Sequence, residues 1–169
     1  AVYQAARTGI ALDPLTALPV GTSPVVGNVF LHPPMTAFKR LLYAGKLATN
    51  KGVQHLLPAL KAARLKWPLV VIGDGPMRGR LESEARALDL DVRELGWLSR
   101  REVWTWMRHA ALLAFPSYGP ESLSRVLIEA AALGVPIAAM DTGGTRDILH
   151  PGTTGLLSAD VEGFARDLA

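Results

Sequence analysis

The fold is decided by the stretch Tyr118–Leu133, which reads Y-G-P-E-S-L-S-R-V-L-I-E-A-A-A-L. An apolar run, Ala110–Phe115, comes before it, and a turn rich in Pro, Ser and Gly joins the two. This order predicts a buried strand, a tight loop and then a helix over Glu121–Leu133. We expect Gly134 to end that helix, because glycine adopts the positive φ angle of a helix C-terminus without strain.

The predicted helix carries two carboxylates, Glu121 at its start and Glu129 eight positions later. Eight helical residues rise about 12 Å and turn by about 80°, which places the two side chains on neighbouring faces. The free backbone N–H groups of the first turn, at Ser122, Leu123 and Ser124, would form an anion site. Carboxylates for hydroxyl groups beside a phosphate-binding end suit a nucleotide sugar. The alternative is that Glu121 only complements the helix dipole and that Glu129 is a solvated surface residue.

The composition is that of one globular domain with an ordinary core, since the chain has 169 residues and 49% of them are apolar. The net charge of +3 is compatible with a phosphate-bearing ligand but does not indicate a nucleic-acid partner. The absence of cysteine excludes disulfides, thiolate chemistry and cysteine metal ligands. No apolar run approaches the length of about 18 residues that a membrane-spanning helix needs. The histidines form no metal-type pair, and we assign no metal ligands.

The chain divides into two parts. Residues 1–38 are punctuated by proline and are predicted to be a linker or the edge of a preceding N-terminal domain that is absent from this chain. Residues 39–169 are predicted to be one domain, truncated at its C-terminus. Within it, short apolar runs alternate with segments of helical periodicity. The predicted strands are Leu41–Ala44, Leu69–Ile72, Val92–Leu95, Ala111–Phe115, Val135–Ala139 and Gly155–Leu157.

This alternation predicts the fold class: an α/β, Rossmann-like, doubly wound parallel sheet that is buried on both faces. Ligands of such sheets bind at the carboxyl ends of the strands, and the Gly-rich and charged loops are concentrated there. Ser99 and Glu102 form the sequence signature of a capping box, and Pro76 suits the first position of its helix. The other predicted helices are Val53–Leu65, Met77–Leu88, Ser99–His109, Thr145–Leu149 and Val161–Leu168.

Three motifs at this edge are candidates for a binding site. Lys46 and Lys51, in the loop G-K-L-A-T-N-K-G, would place two ammonium groups beside a helix start, where a diphosphate could bind. The turn G-D-G-P, Gly73–Pro76, would let the backbone approach a ligand, and Trp97 could lie near a base. The alternatives are two solvated lysines and a plain tight turn. For Trp104 and Trp106, core packing or a contact with another domain is favoured over stacking on a ligand.

Taken in order, these motifs give a resemblance. Residues 41–157 resemble the C-terminal half of a retaining GT-B glycosyltransferase of family 4, the group 1 type. Each motif is short, but the ordered set at these spacings is specific. The motifs are G-K-L-x-x-x-K-G, G-D-G-P, G-W-L-S, P-S-x-x-x-E, E-A-A-A-L-G-V-P, T-G-G-T-R-D and G-T-T-G-L-L.

The resemblance implies a role for each candidate residue. Lys46 and Lys51 would hold the donor diphosphate and stabilise it as it leaves, with Lys51 counted as a catalytic residue. Glu121 would contact the hydroxyls of the donor sugar as the second catalytic residue, and Glu129 would bind the ribose hydroxyls. The implied binding set is completed by Gly45, Gly75, Trp97, Leu98, Ser122, Leu123 and Ser124. The chain departs from the family in carrying Lys46 where arginine is usual, no glycine near Ser124, and Asp147 in place of a glutamate.

The function that the resemblance implies is transfer of a sugar with retention from a nucleotide-diphosphate sugar, with UDP or GDP as the nucleotide. No metal or other cofactor would be required. The acceptor would be held by the absent N-terminal domain, so this part alone should bind donor but hardly turn over. A cytoplasmic location is implied, with membrane contact only through the missing half, in polysaccharide or glycolipid biosynthesis. The alternatives are a GT-B-type sugar-nucleotide epimerase and a non-catalytic nucleotide-binding module.

Overall fold

The computed structural model describes residues 40–119 and 123–169, which belong to one compact unit spanning residues 38–169. Its core is a six-stranded sheet in the order β3-β2-β1-β4-β5-β6, and every pair of neighbouring strands is parallel. The predicted doubly wound, Rossmann-like sheet is therefore confirmed. The strands are β1 (Leu41–Ala44), β2 (Leu69–Ile72), β3 (Val92–Gly96), β4 (Leu112–Phe115), β5 (Ile137–Met140) and β6 (Gly155–Ser158).

Helices cover both faces of this sheet. Leu41 and Tyr43 of β1 point to one core, and Leu42 and Ala44 point to the other, because successive side chains of a strand face opposite ways. Helices α1, α2 and α6 pack on the first face, and α3 and α4 pack on the second. The helices are α1 (Val53–Ala62), α2 (Arg78–Leu88), α3 (Arg100–Arg108), α4 (Arg125–Ala132), α5 (Thr145–Ile148) and α6 (Val161–Asp167), and a 3-10 helix, Thr49–Lys51, precedes α1.

The winding of the chain reverses between β1 and β4, which are neighbours in the sheet. Leu41 of β1 pairs with Leu69 of β2 on one side and with Leu112 of β4 on the other. At such a switch point, the loops that follow the two central strands diverge and leave a crevice at the carboxyl ends. The loops after β1 and β4 carry Lys46 and Lys51 and the Pro-Ser-Gly turn.

The start of α4 differs from the prediction. The helix begins at Arg125, and Ser124 has the extended conformation of an N-cap, with φ −92° and ψ 114°. The prediction that Glu121 and Glu129 share one helix is therefore wrong. The second serine of S-L-S takes the N-cap position, although its hydroxyl makes no capping hydrogen bond. The free amide groups of the first turn are consequently those that follow Leu123, from Ser124 to Leu127.

Other helix ends also shift. Pro76 lies before α2 rather than at its first position, because Met77 is the N-cap and its N–H donates to the carbonyl of Leu47. The helix α1 ends at Ala62, and Arg64 just beyond it has a positive φ of 52°. Gly134 ends α4 as predicted, with φ 69°, and the next N–H, of Val135, donates back to the carbonyl of Ala130. Strand β5 accordingly starts two residues later than predicted.

The capping box at α3 is confirmed. The Ser99 hydroxyl accepts the Glu102 N–H at 3.4 Å, and the Glu102 carboxylate accepts the Ser99 N–H at 2.8 Å. We expect Ser99→Ala to lower the free energy of unfolding by about 0.5–2 kcal/mol, measured by urea denaturation. Arg101→Ala, an exposed change on the same helix, should stay within about 0.5 kcal/mol of the unsubstituted protein. Equal effects of the two substitutions would contradict a stabilising cap.

Candidate functional site

A cavity of about 590 Å³ lies at the carboxyl ends of β1, β2 and β3. Its floor is formed by the ends of the strands and the loops that follow them, and its wall by the starts of α3 and α4. The cavity lies at the carboxyl edge of the sheet, where ligands of such sheets bind, but on the β2 side of the switch point, because it has no lining residue from β4 or from the loop that follows it. The lining residues are Ala44, Gly45, Lys46, Ile72, Gly73, Asp74, Trp97, Leu98, Arg100, Val103, Arg125, Val126 and Glu129.

Five of the predicted site residues line this cavity: Gly45, Lys46, Trp97, Leu98 and Glu129. They come from two loops and one helix that are far apart in sequence. Trp97 is 78% exposed, so its ring lies at the mouth of the cavity rather than in the core. The cavity therefore combines an ammonium group, a carboxylate and an exposed aromatic ring.

Lys51 and Ser124 line a smaller cleft of about 50 Å³. The two spaces share Ala44, Gly45 and Val126 in their walls, so the cleft adjoins the cavity at the end of β1. The two predicted lysines thus line two neighbouring spaces that have Gly45 in common. The first turn of α4 borders both spaces.

The remaining predicted residues are placed differently. Gly75 lines neither space; a Cβ there would lie 2.4 Å from the Leu47 carbonyl oxygen, so glycine allows this turn to pack on the loop after β1. Leu123 is 55% exposed and also lines neither space. Glu121 and Ser122 lie outside the described residues, as does the whole segment 1–38. The roles suggested for them stay predictions.

We call Gly45–Gly52 the lysine loop and residues 116–119 the proline loop. The two are joined by hydrogen bonds to the Asn50 carbonyl, which accepts the Gly119 N–H at 3.0 Å and the Ser117 hydroxyl at 3.4 Å. The Gln54 amide, in the first turn of α1, also donates to the Tyr118 hydroxyl at 2.9 Å. The two loops also touch backbone to backbone, because a Cβ at Gly52 would lie 1.8 Å from the Pro116 carbonyl oxygen. The lysine loop therefore supports the proline loop, which leads directly to residues 120–122.

The shape of the lysine loop is fixed by the strands beside it. The Gly45 N–H donates to the Ile72 carbonyl at 2.9 Å, and the Tyr43 hydroxyl donates to the Lys46 carbonyl at 2.8 Å. The backbone of Gly45 and Lys46, just after β1, is therefore fixed by hydrogen bonds. Lys51 ends the 3-10 helix immediately before the left-handed Gly52, which has φ 71°.

Glu129 has a partner that the sequence reading missed. Its side chain is only 14% exposed, and its Oε1 accepts a hydrogen bond from the Nε of Arg100 at 2.9 Å. The Arg100 guanidinium also lies over the Trp104 ring, 5.0 Å from the ring centroid. The sequence indicates this partner only weakly: Arg100 is a cation that directly follows the predicted N-cap Ser99, at the carboxyl edge of the sheet.

Two groups with shifted pKa values lie elsewhere. Burial raises the pKa of Glu94, as does the nearby Glu82, and Arg78 partly opposes them. Burial also lowers the pKa of Arg40, which lies over the Trp106 ring. Neither Glu94 nor Arg40 lines the cavity or the cleft.

Residues 40–119 and 123–169 hold neither a metal-type cluster nor a membrane-crossing helix. Among these residues, no cluster of three or more His, Asp or Glu side chains has the arrangement needed to hold a metal ion. Of the helices formed by the same residues, none is both long enough and apolar enough to cross a bilayer.

The arrangement suits a ligand that is anionic at one end and carries hydroxyl groups. Lys46, Lys51 and the amide groups at the start of α4 can stabilise phosphate oxygens, since an ammonium group and a helix N-terminus both favour anions. Glu129, as an ionised carboxylate, can only accept hydrogen bonds and so suits hydroxyl groups. The backbone beside the exposed Trp97 offers a surface for a flat ring.

Known proteins share this sequence and architecture. The family model of glycosyl transferases group 1 matches residues 38–169. The 2-deoxystreptamine N-acetyl-D-glucosaminyltransferase of Niallia circulans is 35% identical over 134 residues, which cover 75% of this chain and 34% of that protein. Glycogen synthase of Mycobacterium tuberculosis is 32% identical over 139 residues, covering 78% of this chain and 33% of that protein. The chain thus spans about a third of the length of these relatives.

Solved structures agree on the fold. The lipopolysaccharide outer core galactosyltransferase WaaB in its apo form matches with a TM-score of 0.70 and 27% identity, over 99% of this chain and 49% of that one. Anabaena HepE in complex with UDP matches with a TM-score of 0.70 and 24% identity, and the match covers 77% of this chain and 38% of the HepE chain. The second likeness bears on the fold alone, which is that of a GT-B half. Because the family model takes in most of the sequence, including every strand and helix described above, the chain belongs to the glycosyl transferases group 1 family.

Proposed function

We propose that this chain is the donor-binding domain of a glycosyltransferase that uses a nucleotide-diphosphate sugar and retains the anomeric configuration. The observation that carries the proposal is the meeting of Glu129 with Lys46 in one cavity, with Lys51 in the adjoining cleft. A carboxylate for hydroxyls and two ammonium groups for a diphosphate are the complement of such a donor. The acceptor would be held by a further domain.

In this proposal, the phosphate end of the donor lies along Gly45 between the two lysines. Lys51 and the amide groups at the start of α4 stabilise the negative charge that develops on the diphosphate as its bond to the anomeric carbon breaks. The cationic side chains and the helix end supply this stabilisation, so no metal ion is required. Lys46 contributes charge but not the two-pronged geometry of the arginine that is usual in the family.

The rest of the donor is placed by the other lining residues. Glu129 accepts hydrogen bonds from the ribose hydroxyls, and the backbone of Trp97 and Leu98 meets the base. Glu121 contacts the hydroxyls of the transferred sugar, while the acceptor approaches on the same face as the leaving group. The relative from Niallia circulans supports a sugar-transferring role, because it is an N-acetyl-D-glucosaminyltransferase.

Binding tests the donor site. Ligand-detected NMR with UDP-, GDP- and ADP-sugars should reveal selective binding of one base. We expect Glu129→Ala to weaken that binding by at least about tenfold, because hydrogen bonds to a charged acceptor are among the stronger ones. Lys51→Ala should also weaken binding. Lys66→Ala is the control, because Lys66 lines a separate cavity beside Leu69, the first residue of β2. Unchanged binding in both Glu129→Ala and Lys51→Ala would contradict the site.

Product analysis tests the reaction. The protein carrying this domain, incubated with the donor that binds and with candidate acceptors, should form a glycoside whose anomeric configuration equals that of the donor. The configuration is measured by the NMR coupling constant of the anomeric proton. An inverted product would contradict retention, and an isomerised free sugar would instead favour an epimerase.

A further inference from the structure

The carboxylate assigned to ribose is already held by another side chain. Glu129 is 14% exposed, Arg100 is 66% exposed, and the Arg100 Nε lies 2.9 Å from the Glu129 Oε1. Both residues line the cavity, so the ion pair forms part of its wall. An exposed ion pair contributes little to stability, but here one partner is largely removed from water. The ion pair therefore influences how the Glu129 carboxylate is oriented in the cavity.

Arg100 is held in place from two sides. It is the first residue of α3, whose start is fixed by the capping box between Ser99 and Glu102. One turn further along the helix, the Trp104 ring lies under its guanidinium at 5.0 Å from the ring centroid. An arginine that rests on an aromatic face and ends at a carboxylate loses rotamer freedom before any ligand arrives.

A fixed arginine also fixes the carboxylate. The Glu129 side chain must keep the rotamer that meets the Arg100 Nε, and this orients the plane of the carboxylate. An ionised carboxylate has about four acceptor positions, so one N–H from Arg100 leaves the others for hydroxyl groups. Two neighbouring hydroxyls of a ribose require such a fixed, two-oxygen acceptor. A freely rotating carboxylate would meet one hydroxyl at a time.

We propose that Arg100 is a positioning residue that orients Glu129 toward both ribose hydroxyls and thereby makes the site selective for ribonucleotides over 2′-deoxyribonucleotides. The inference rests on the proposed function, because it takes Glu129 as the ribose-binding group. It assigns Arg100 no direct contact with the ligand. A direct contact with phosphate would affect ribo and deoxy ligands equally, and this difference can be measured.

The test is a set of dissociation constants measured by isothermal titration calorimetry. UDP, GDP and ADP are each compared with the 2′-deoxy analogue in the protein carrying this domain. We expect the nucleotide that binds to prefer the ribo form by about 10- to 100-fold, the effect of one hydrogen bond to a charged acceptor. In Arg100→Ala, the preference should fall below about threefold through weaker binding of the ribo form, with little change for the deoxy form.

Three further variants test whether the preference depends on the guanidinium group of Arg100 and on its contact with Glu129. Arg101→Ala removes the neighbouring, exposed arginine and should keep the full preference. Arg100→Lys keeps the charge but loses the guanidinium geometry, so it should restore only part of the preference. Glu129→Gln should remove the preference, and adding it to Arg100→Ala should cost little more, because the two residues act on one contact. Thermal unfolding of each variant verifies that it is folded.

The outcomes separate this inference from the proposed function. If none of UDP, GDP and ADP binds to the unsubstituted protein, the proposed function fails and this inference falls with it. If a nucleotide binds but Arg100→Ala weakens the ribo and deoxy forms equally, or changes neither, the positioning role is overturned and the donor site stands. If Arg100→Ala weakens binding of the ribo form and leaves binding of the deoxy form unchanged, the positioning role is supported.

Discussion

Replacing Lys51 with alanine is expected to lower the kcat/KM of sugar transfer by about 100- to 1000-fold, the loss typical when a charge-stabilising group is removed from an active site. Lys51 lines the cleft beside Gly45 together with Ser124, the N-cap of α4. Its ammonium group and the amide groups of that helix start would face the same phosphate oxygens. The effect should therefore appear in kcat and not only in donor affinity.

The measurement is release of nucleoside diphosphate by the protein carrying this domain, at saturating and at low donor concentrations. Lys51→Arg preserves the charge and should recover part of the rate. Lys66→Ala, a lysine of the same type that lines neither the cavity nor the cleft, should leave the rate unchanged. A loss of less than about fivefold in Lys51→Ala would remove this residue from the catalytic machinery.

The second large effect concerns stability. We expect Gly52→Ala to lower the free energy of unfolding by about 2–5 kcal/mol. Gly52 has φ 71°, and for a residue with a side chain this left-handed conformation costs about 1–2 kcal/mol. Its new Cβ would also lie 1.8 Å from the Pro116 carbonyl oxygen, and relief of such an overlap adds about 1–3 kcal/mol.

Gly134→Ala is the matched control. Gly134 has a nearly identical φ of 69°, but no atom lies within 4 Å of the position of its Cβ. It should lose only the conformational part, about 1–2 kcal/mol. Urea denaturation of the three proteins gives both differences. An equal loss in the two variants would mean that the contact with Pro116 is easily relieved and that the proline loop moves freely.

The sheet could be predicted from the sequence because its strands are short, continuous apolar runs. A run such as Leu41–Ala44 fits only a strand that is buried on both faces, and all four of its residues are buried. Such runs, alternating with helical periodicity, leave few topologies open. The location of the site at the carboxyl ends then followed from the fold class, and the structure places the cavity there.

The details of the site depended on contacts between distant residues. The segment S-L-S offers two serines as N-caps, and local propensity did not choose Ser124 over Ser122. The pairing of Arg100 with Glu129 joins residues 29 positions apart, which meet only because α3 and α4 pack on the same face of the sheet. The hydrophobic periodicity of each helix shows which face is buried, but it does not indicate that Arg100 and Glu129 are partners.

The contact between Gly52 and Pro116 has a consequence for protein engineering. The proline loop rests on the lysine loop through backbone atoms, so its path depends on a surface that a different segment provides. A chimera that takes only residues 116–119 from a relative would place the new loop on a lysine loop with a different sequence. An exchange of the proline loop between relatives should therefore keep its stability only when residues 45–52 are exchanged together with residues 116–119.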